Sequence, residues 1–89
     1  MIEVNQIGDG DPLEFEVMVR EASGESRHHV TMSKETYERV MAGRYTAEGW
    51  LDAAFRFLLD REPKESILRG FDLAVIGRYF PDWESTIRR

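Results

Sequence analysis

Cysteine is absent from this 89-residue chain, and only two histidines and three prolines are present. The first absence removes disulfide stapling, thiolate metal ligation and a cysteine nucleophile together. The histidines, His28 and His29, are neighbours. Consecutive strand residues point to opposite faces of a sheet, so the pair grips one ion poorly, and carboxylates would have to complete any metal site. Basic residues are scarce at the front: residues 1–26 hold seven acids and a single base, Arg20, whereas residues 27–89 hold ten acids and eleven bases, within a net charge of −5. An acidic front end works against non-specific attraction to phosphate and disfavours a nucleic-acid partner. No apolar run approaches the ~20 residues of a membrane-spanning helix. The opening Met-Ile-Glu-Val-Asn-Gln has no basic region followed by an apolar stretch, so a cytoplasmic location with no membrane partner is the expectation.

What is present is organised around residues 47–61. On a helix these residues place Trp50, Leu51, Ala53, Ala54, Phe55, Phe57, Leu58 and Leu59 over about two thirds of the circumference. Asp52, Arg56 and Asp60 form the one polar stripe, spaced four apart with alternating sign. Thr46 is suited to cap the first turn, and Pro63 marks the stop. A helix this apolar has to be covered on more than one side.

Upstream, Leu13, Phe15, Val17 and Val19 alternate with Glu14, Glu16, Met18 and Arg20, the period of a half-buried strand. Residues 22–26 supply a loop, and residues 27–32 resume as a second strand with His28, Val30 and Met32 on one face. Residues 2–7 alternate weakly and form a candidate third strand before the turn signal Gly8-Asp9-Gly10-Asp11-Pro12. Asp9 and Asp11 resemble the start of a calcium loop, but the remaining ligands do not follow at the required spacing. Ser33 caps a short helix over 34–42, ended by Gly43 in the left-handed conformation. Beyond the central helix, Pro63 suits the first turn of another, with Ile67, Leu68 and Phe71 on its apolar side. Asp72 caps a further helix over 73–80, where Gly77 suggests close approach to a neighbouring helix.

Chemistry finds few footholds. The serines Ser23, Ser26, Ser33, Ser66 and Ser85 show no nucleophile elbow, and the glycines near the N-terminal end are followed by acids that repel phosphate. The carboxylate pairs Asp52 with Asp60 and Glu14 with Glu16 belong to solvated faces, where nothing shifts a carboxyl toward acid–base work. No catalytic residue, cofactor or metal is expected. Arg61, Arg69, Arg78, Arg88 and Arg89 are interleaved with Tyr79, Phe80 and Trp83, the mixture that protein contact surfaces favour, and Arg78, Tyr79 and Trp83 are the expected partner surface.

The run Phe55-Arg-Phe-Leu-Leu-Asp-Arg-Glu-Pro-Lys-Glu-Ser-Ile-Leu68, followed by Phe71-Asp-Leu73 and Val75-Ile-Gly-Arg-Tyr-Phe-Pro81, resembles a group of short bacterial proteins without an established function. That resemblance implies a bacterial cytosolic protein and no particular chemistry. The order and lengths of segments 27–32, 34–42 and 47–61 resemble ribbon-helix-helix repressors, which implies a dimer whose Arg27, His29 and Thr31 face a DNA groove. Against it, the preceding strand already offers a hairpin partner, and the acidic first segment would lie close to DNA phosphates.

Together these readings predict one α+β domain over residues 1–89, an N-terminal antiparallel hairpin packed on a C-terminal bundle of three to four short helices. The leading functional expectation is a non-enzymatic interaction module with a protein partner still to be identified. A dimeric ribbon-type DNA-binding regulator is the alternative, and a small-molecule-binding protein or very small enzyme comes third.

Overall fold

The computed structural model describes residues 1–88. Its elements run β1 (Ile2–Gly8), β2 (Leu13–Glu21), β3 (Gly24–Met32), α1 (Lys34–Ala42), α2 (Ala47–Leu59), β4 (Gly70–Asp72), α3 (Ile76–Tyr79) and α4 (Trp83–Ile87), with 3-10 turns at Lys64–Ser66 and Leu73–Val75. The strands form one sheet in the order β1-β2-β3-β4, antiparallel except for the β3–β4 pair, which is parallel. This is the α+β arrangement expected, with residues 2–8 as the third strand of the N-terminal part. The Cα radius of gyration is 12.3 Å, close to the ~12 Å of a compact chain of this length.

The alternation of β2 does what its period requires. Leu13, Phe15, Val17 and Val19 are buried, and Phe15 and Val17 are wholly inaccessible. They share one core with Val30 and Met32 of β3 and with Trp50, Leu51, Ala54, Phe55, Phe57 and Leu58 of α2. Asp52 and Arg56 pair on the exposed side of α2, as their spacing predicts. Caps hold both long helices at their expected starts: the Ser33 hydroxyl accepts from the Thr36 N–H at 3.1 Å, and the Thr46 hydroxyl from the Gly49 N–H at 3.0 Å.

Three local expectations change. At the end of α1 the left-handed residue is Arg44 (φ +68°), while Gly43 stays at φ −81°. The β2–β3 connection is tighter than residues 22–26 suggested, because Gly24 (φ +130°) already belongs to β3 and takes a conformation open mainly to glycine. The third change is the largest. The helix expected after Pro63 is a single 3-10 turn, after which the chain extends and adds β4 beside residues 29–31 of β3. The inner strand's free edge explains it: the His29 N–H donates to the Arg69 carbonyl at 2.7 Å, and a helix over 63–70 would leave such groups without partners. Leu68, expected on an apolar helix face, is consequently 51% exposed.

The segment after Asp72 is helical, but in two pieces. Asp72 caps it as expected, accepting from the Ala74 N–H at 3.0 Å. Gly77 lies next to Trp83 of α4, yet a methyl group there would sit 3.6 Å from the indole nitrogen, an ordinary contact. The expected close approach is therefore not tight.

Two stability outcomes follow. Phe55→Ala, which empties a fully buried position between α2 and the sheet, is expected to cost about 3–5 kcal/mol in urea unfolding. Gly77→Ala is expected to raise stability by up to about 1 kcal/mol, because the helix gains propensity without a clash; a loss on thermal unfolding would show that the space beside Trp83 is smaller than it measures.

Candidate functional site

Helices cover one face of the sheet and leave the other open. On the open face the register brings together Glu3 of β1, Glu14, Glu16, Met18 and Arg20 of β2, Glu25, Arg27, His29 and Thr31 of β3, and Asp72 of β4. These side chains satisfy one another. Arg20 meets Glu3 at 3.1 Å and Glu25 at 3.3 Å, Arg27 meets Glu16 at 3.7 Å, His29 meets Glu14 at 3.0 Å, and the Thr31 hydroxyl donates to Asp72 at 2.7 Å. Arg27, His29 and Thr31 do share one face, as the ribbon reading requires. They are held by carboxylates, however, and their strand is paired on both edges, by β2 throughout and by β4 at residues 29–31. A ribbon that pairs β3 with its copy has no free edge there.

The expected surface of Arg78, Tyr79 and Trp83 separates into two environments. Arg78 is exposed and Tyr79 is 69% exposed, but Trp83 is only 4% exposed and packs against Trp50 with the rings tilted by 58° and their centroids 5.8 Å apart. Trp83 is thus a core residue at one end of α2 and not part of the exposed surface expected of it. The reason is geometric: α4 folds back over α2, so its first residue faces inward. Arg88 lies over the Trp50 ring at 5.4 Å, and Arg89 lies outside the described residues.

Tyr79 instead belongs to a groove that sequence reasoning did not anticipate. A cavity of about 240 Å³ opens between the C-terminal part of α2, the turn at 64–68, β4 and α3, with Leu58, Ile67, Leu68, Phe71, Ile76 and Tyr79 among its walls and Glu62 as its one charged lining residue. Phe80 closes one side, buttressed by Phe57 edge-on at 5.5 Å and by Arg61, whose guanidinium lies 3.6 Å from the centre of the Phe57 ring. The groove exists because residues 67–72 extend instead of coiling.

A second depression, about 360 Å³, gathers titratable groups: Glu25, Arg27, His28, Lys64, Glu65 and Arg69 line it together with Ser26. Within it the Ser26 hydroxyl stands 2.8 Å from His28 Nε2, while Nδ1 is 2.7 Å from the Leu68 carbonyl. Sequence reasoning gave Ser26 no partner, and the i, i+2 spacing on one strand face was the signal available. A nucleophile and base at this distance are necessary for acyl transfer, but no carboxylate orients the ring and no set of donors converges on a reacting oxygen. His28 is 2% exposed and tilted against Phe55 at 5.2 Å. Its two nitrogens satisfy a serine and a carbonyl and so tie β3 to the chain entering β4.

Lys64, 4% exposed, anchors the same corner, reaching Glu21 at 3.2 Å, Glu65 at 2.7 Å and the Ser23 hydroxyl at 2.9 Å. Its hydrogen bond with Glu65 raises the Lys64 pKa, with Glu21 adding to it, and the same bond lowers that of Glu65. Among the described residues no group of three metal-ligating side chains converges, and no helix is long and apolar enough to cross a membrane. No protein-family model, curated protein or solved structure matches the chain.

The sign of the Lys64–Glu65 linkage sets a pH window. The depressed Glu65 pKa stabilises the fold above the ordinary carboxyl value of 4.5 and stops doing so as pH falls through its lower folded value; the raised Lys64 pKa stabilises below 10.5 and is lost as pH rises through its higher folded value. Glu65→Gln is therefore expected to melt below wild type at neutral pH and to converge with it as acidification passes the lowered Glu65 pKa. Thermal unfolding of both proteins across pH checks this, and a gap that persists in acid would refute the assignment.

Proposed function

We propose that the chain is a non-enzymatic protein-interaction module whose docking site is the groove at Leu68, Phe71 and Tyr79. One observation carries the reading: Leu68 and Tyr79, two of the most exposed large apolar side chains, flank the same apolar cavity instead of being scattered. The size of the groove favours a protein anchor. At about 240 Å³ it falls below the ~300–1,000 Å³ of typical small-ligand pockets and suits a large apolar side chain from a partner. Glu62, the single charge on its lining, favours a basic residue beside that anchor, and Tyr79 is the kind of residue that hot spots use. Arg78, the neighbour of Tyr79 in sequence, is exposed but is not among the residues that line the groove.

Nucleic acid is the less supported partner. His29 and Thr31 bond to Glu14 and Asp72, Arg27 lies beside Glu16, and those acids oppose phosphate at the same surface.

The test places a photo-cross-linking side chain at Tyr79 and, as a control, at Glu14 on the open sheet face, in the native host. A single protein captured from position 79 and not from position 14 is expected. Leu68→Asp in the purified pair is expected to weaken binding by about 30-fold or more, the scale of a hot-spot loss, with the circular dichroism of the chain unchanged. Equal capture from both positions, or binding indifferent to Leu68→Asp, would remove the groove from consideration.

A further inference from the structure

The groove lies beside β4, one edge of the sheet; the other edge, β1, carries a different surface. Met1 and Arg20 exchange both backbone hydrogen bonds, the Met1 amine donating at 2.7 Å and the Arg20 N–H at 2.8 Å. Directly opposed antiparallel pairs alternate between bonded and non-bonded, so the next bonded pairs are Glu3 with Met18 and Asn5 with Glu16. Ile2, Val4 and Gln6 therefore turn their N–H and C=O groups away from β2. Among the described residues nothing hydrogen-bonds to them. Over its seven residues β1 contains no proline and no lysine, and its one charge, Glu3, is turned onto Arg20; its register with β2 shifts between Gln6 and Gly8, so the regular part of the open edge is Ile2–Gln6.

We infer that β1 pairs antiparallel with β1 of a second copy, about a two-fold axis through Val4, joining the two sheets into one. The side chains choose both the occupant and the register. With Val4 opposite Val4 of the second copy, Ile2 opposes Gln6, and all the free backbone groups of these residues find partners. Glu3 then opposes Asn5 of the second copy, a carboxylate beside a carboxamide donor. By symmetry each match occurs twice. Shifting the axis to any other residue of the strand still sets outward groups against outward groups but shortens the ladder, and the two nearest shifts are worse. An axis at Glu3 sets two carboxylates face to face, and an axis at Asn5 sets two carboxamides opposite each other and takes Asn5 away from Glu3. The strand is complementary to itself in one register, which is what distinguishes a second copy from an arbitrary extended peptide.

Sedimentation equilibrium on the full chain tests this, against a single-chain mass of 10.4 kDa. Wild type is expected to reach twice that mass reversibly with concentration. Val4→Pro removes an outward N–H at an edge position that tolerates proline and is expected to leave a folded monomer. Asn5→Glu is expected to raise the dissociation constant at least tenfold by opposing Glu3, and Asn5→Lys to lower it. Wild type remaining at 10.4 kDa up to millimolar concentration would overturn the inference. A dimer indifferent to both Asn5 variants would overturn the register, and this arm decides even if Val4→Pro does not fold, because Asn5 is exposed. Since β1 and the groove are at opposite edges, either result leaves the reading of the groove where it stands.

Discussion

A helix that is apolar over most of its circumference sets the terms for this fold. α2 cannot be buried by a sheet alone, since a sheet covers one side of a rod. The sheet takes Phe55, whose ring lies 5.2 Å from that of His28 in β3 and 6.0 Å from that of Phe71 in β4, and the remaining apolar positions need other cover. Trp83 of α4 lies on Trp50, Phe80 lies on Phe57, and Tyr45 meets Trp50 edge-on at 5.0 Å. The C-terminal third is thus drawn back over α2 and cannot form an independent bundle. The Arg39–Glu84 pair, in which the nearby carboxylate raises the arginine pKa, fastens α1 to α4 across the same side.

Much of this was legible in the residues because local and tertiary demands agreed. The two-residue period of β2, the caps at Ser33 and Thr46 and the apolar breadth of α2 each have one satisfactory solution. Residues 63–72 are where agreement fails. Pro63, Ile67, Leu68 and Phe71 have helical spacing, but β3 offers unpaired backbone groups that no local pattern reveals, and satisfying those outweighs a short helix of modest propensity. The groove went unseen for the same reason, since the extended path of this segment brings Ile67, Leu68 and Phe71 to its walls.

The partner surface shows the other limit of pattern reading. Arg78, Tyr79 and Trp83 are close in sequence and alike in composition to contact surfaces, yet Tyr79 faces solvent and Trp83 is interior. Aromatic side chains serve cores and interfaces equally well, and only the path of the chain after Pro81 separates the two uses. Ser26 and His28 make the converse point. Their proximity follows from strand geometry, but its consequence, a link to the Leu68 carbonyl, depends on where β4 docks.

The parallel pairing of β3 with β4 also bears on the order in which the chain assembles. β2 meets β3 across a two-residue connection, so that hairpin closes a very short loop. Thr31 meets Asp72 only after α1, α2 and their links have been traversed, a closure whose entropic cost is repaid only once the helices are already in place. β4 is therefore a latecomer to the sheet, and with it the floor of the groove. The proposed binding edge takes shape in the final steps of folding, whereas β1 and β2 have a ladder ready from the start.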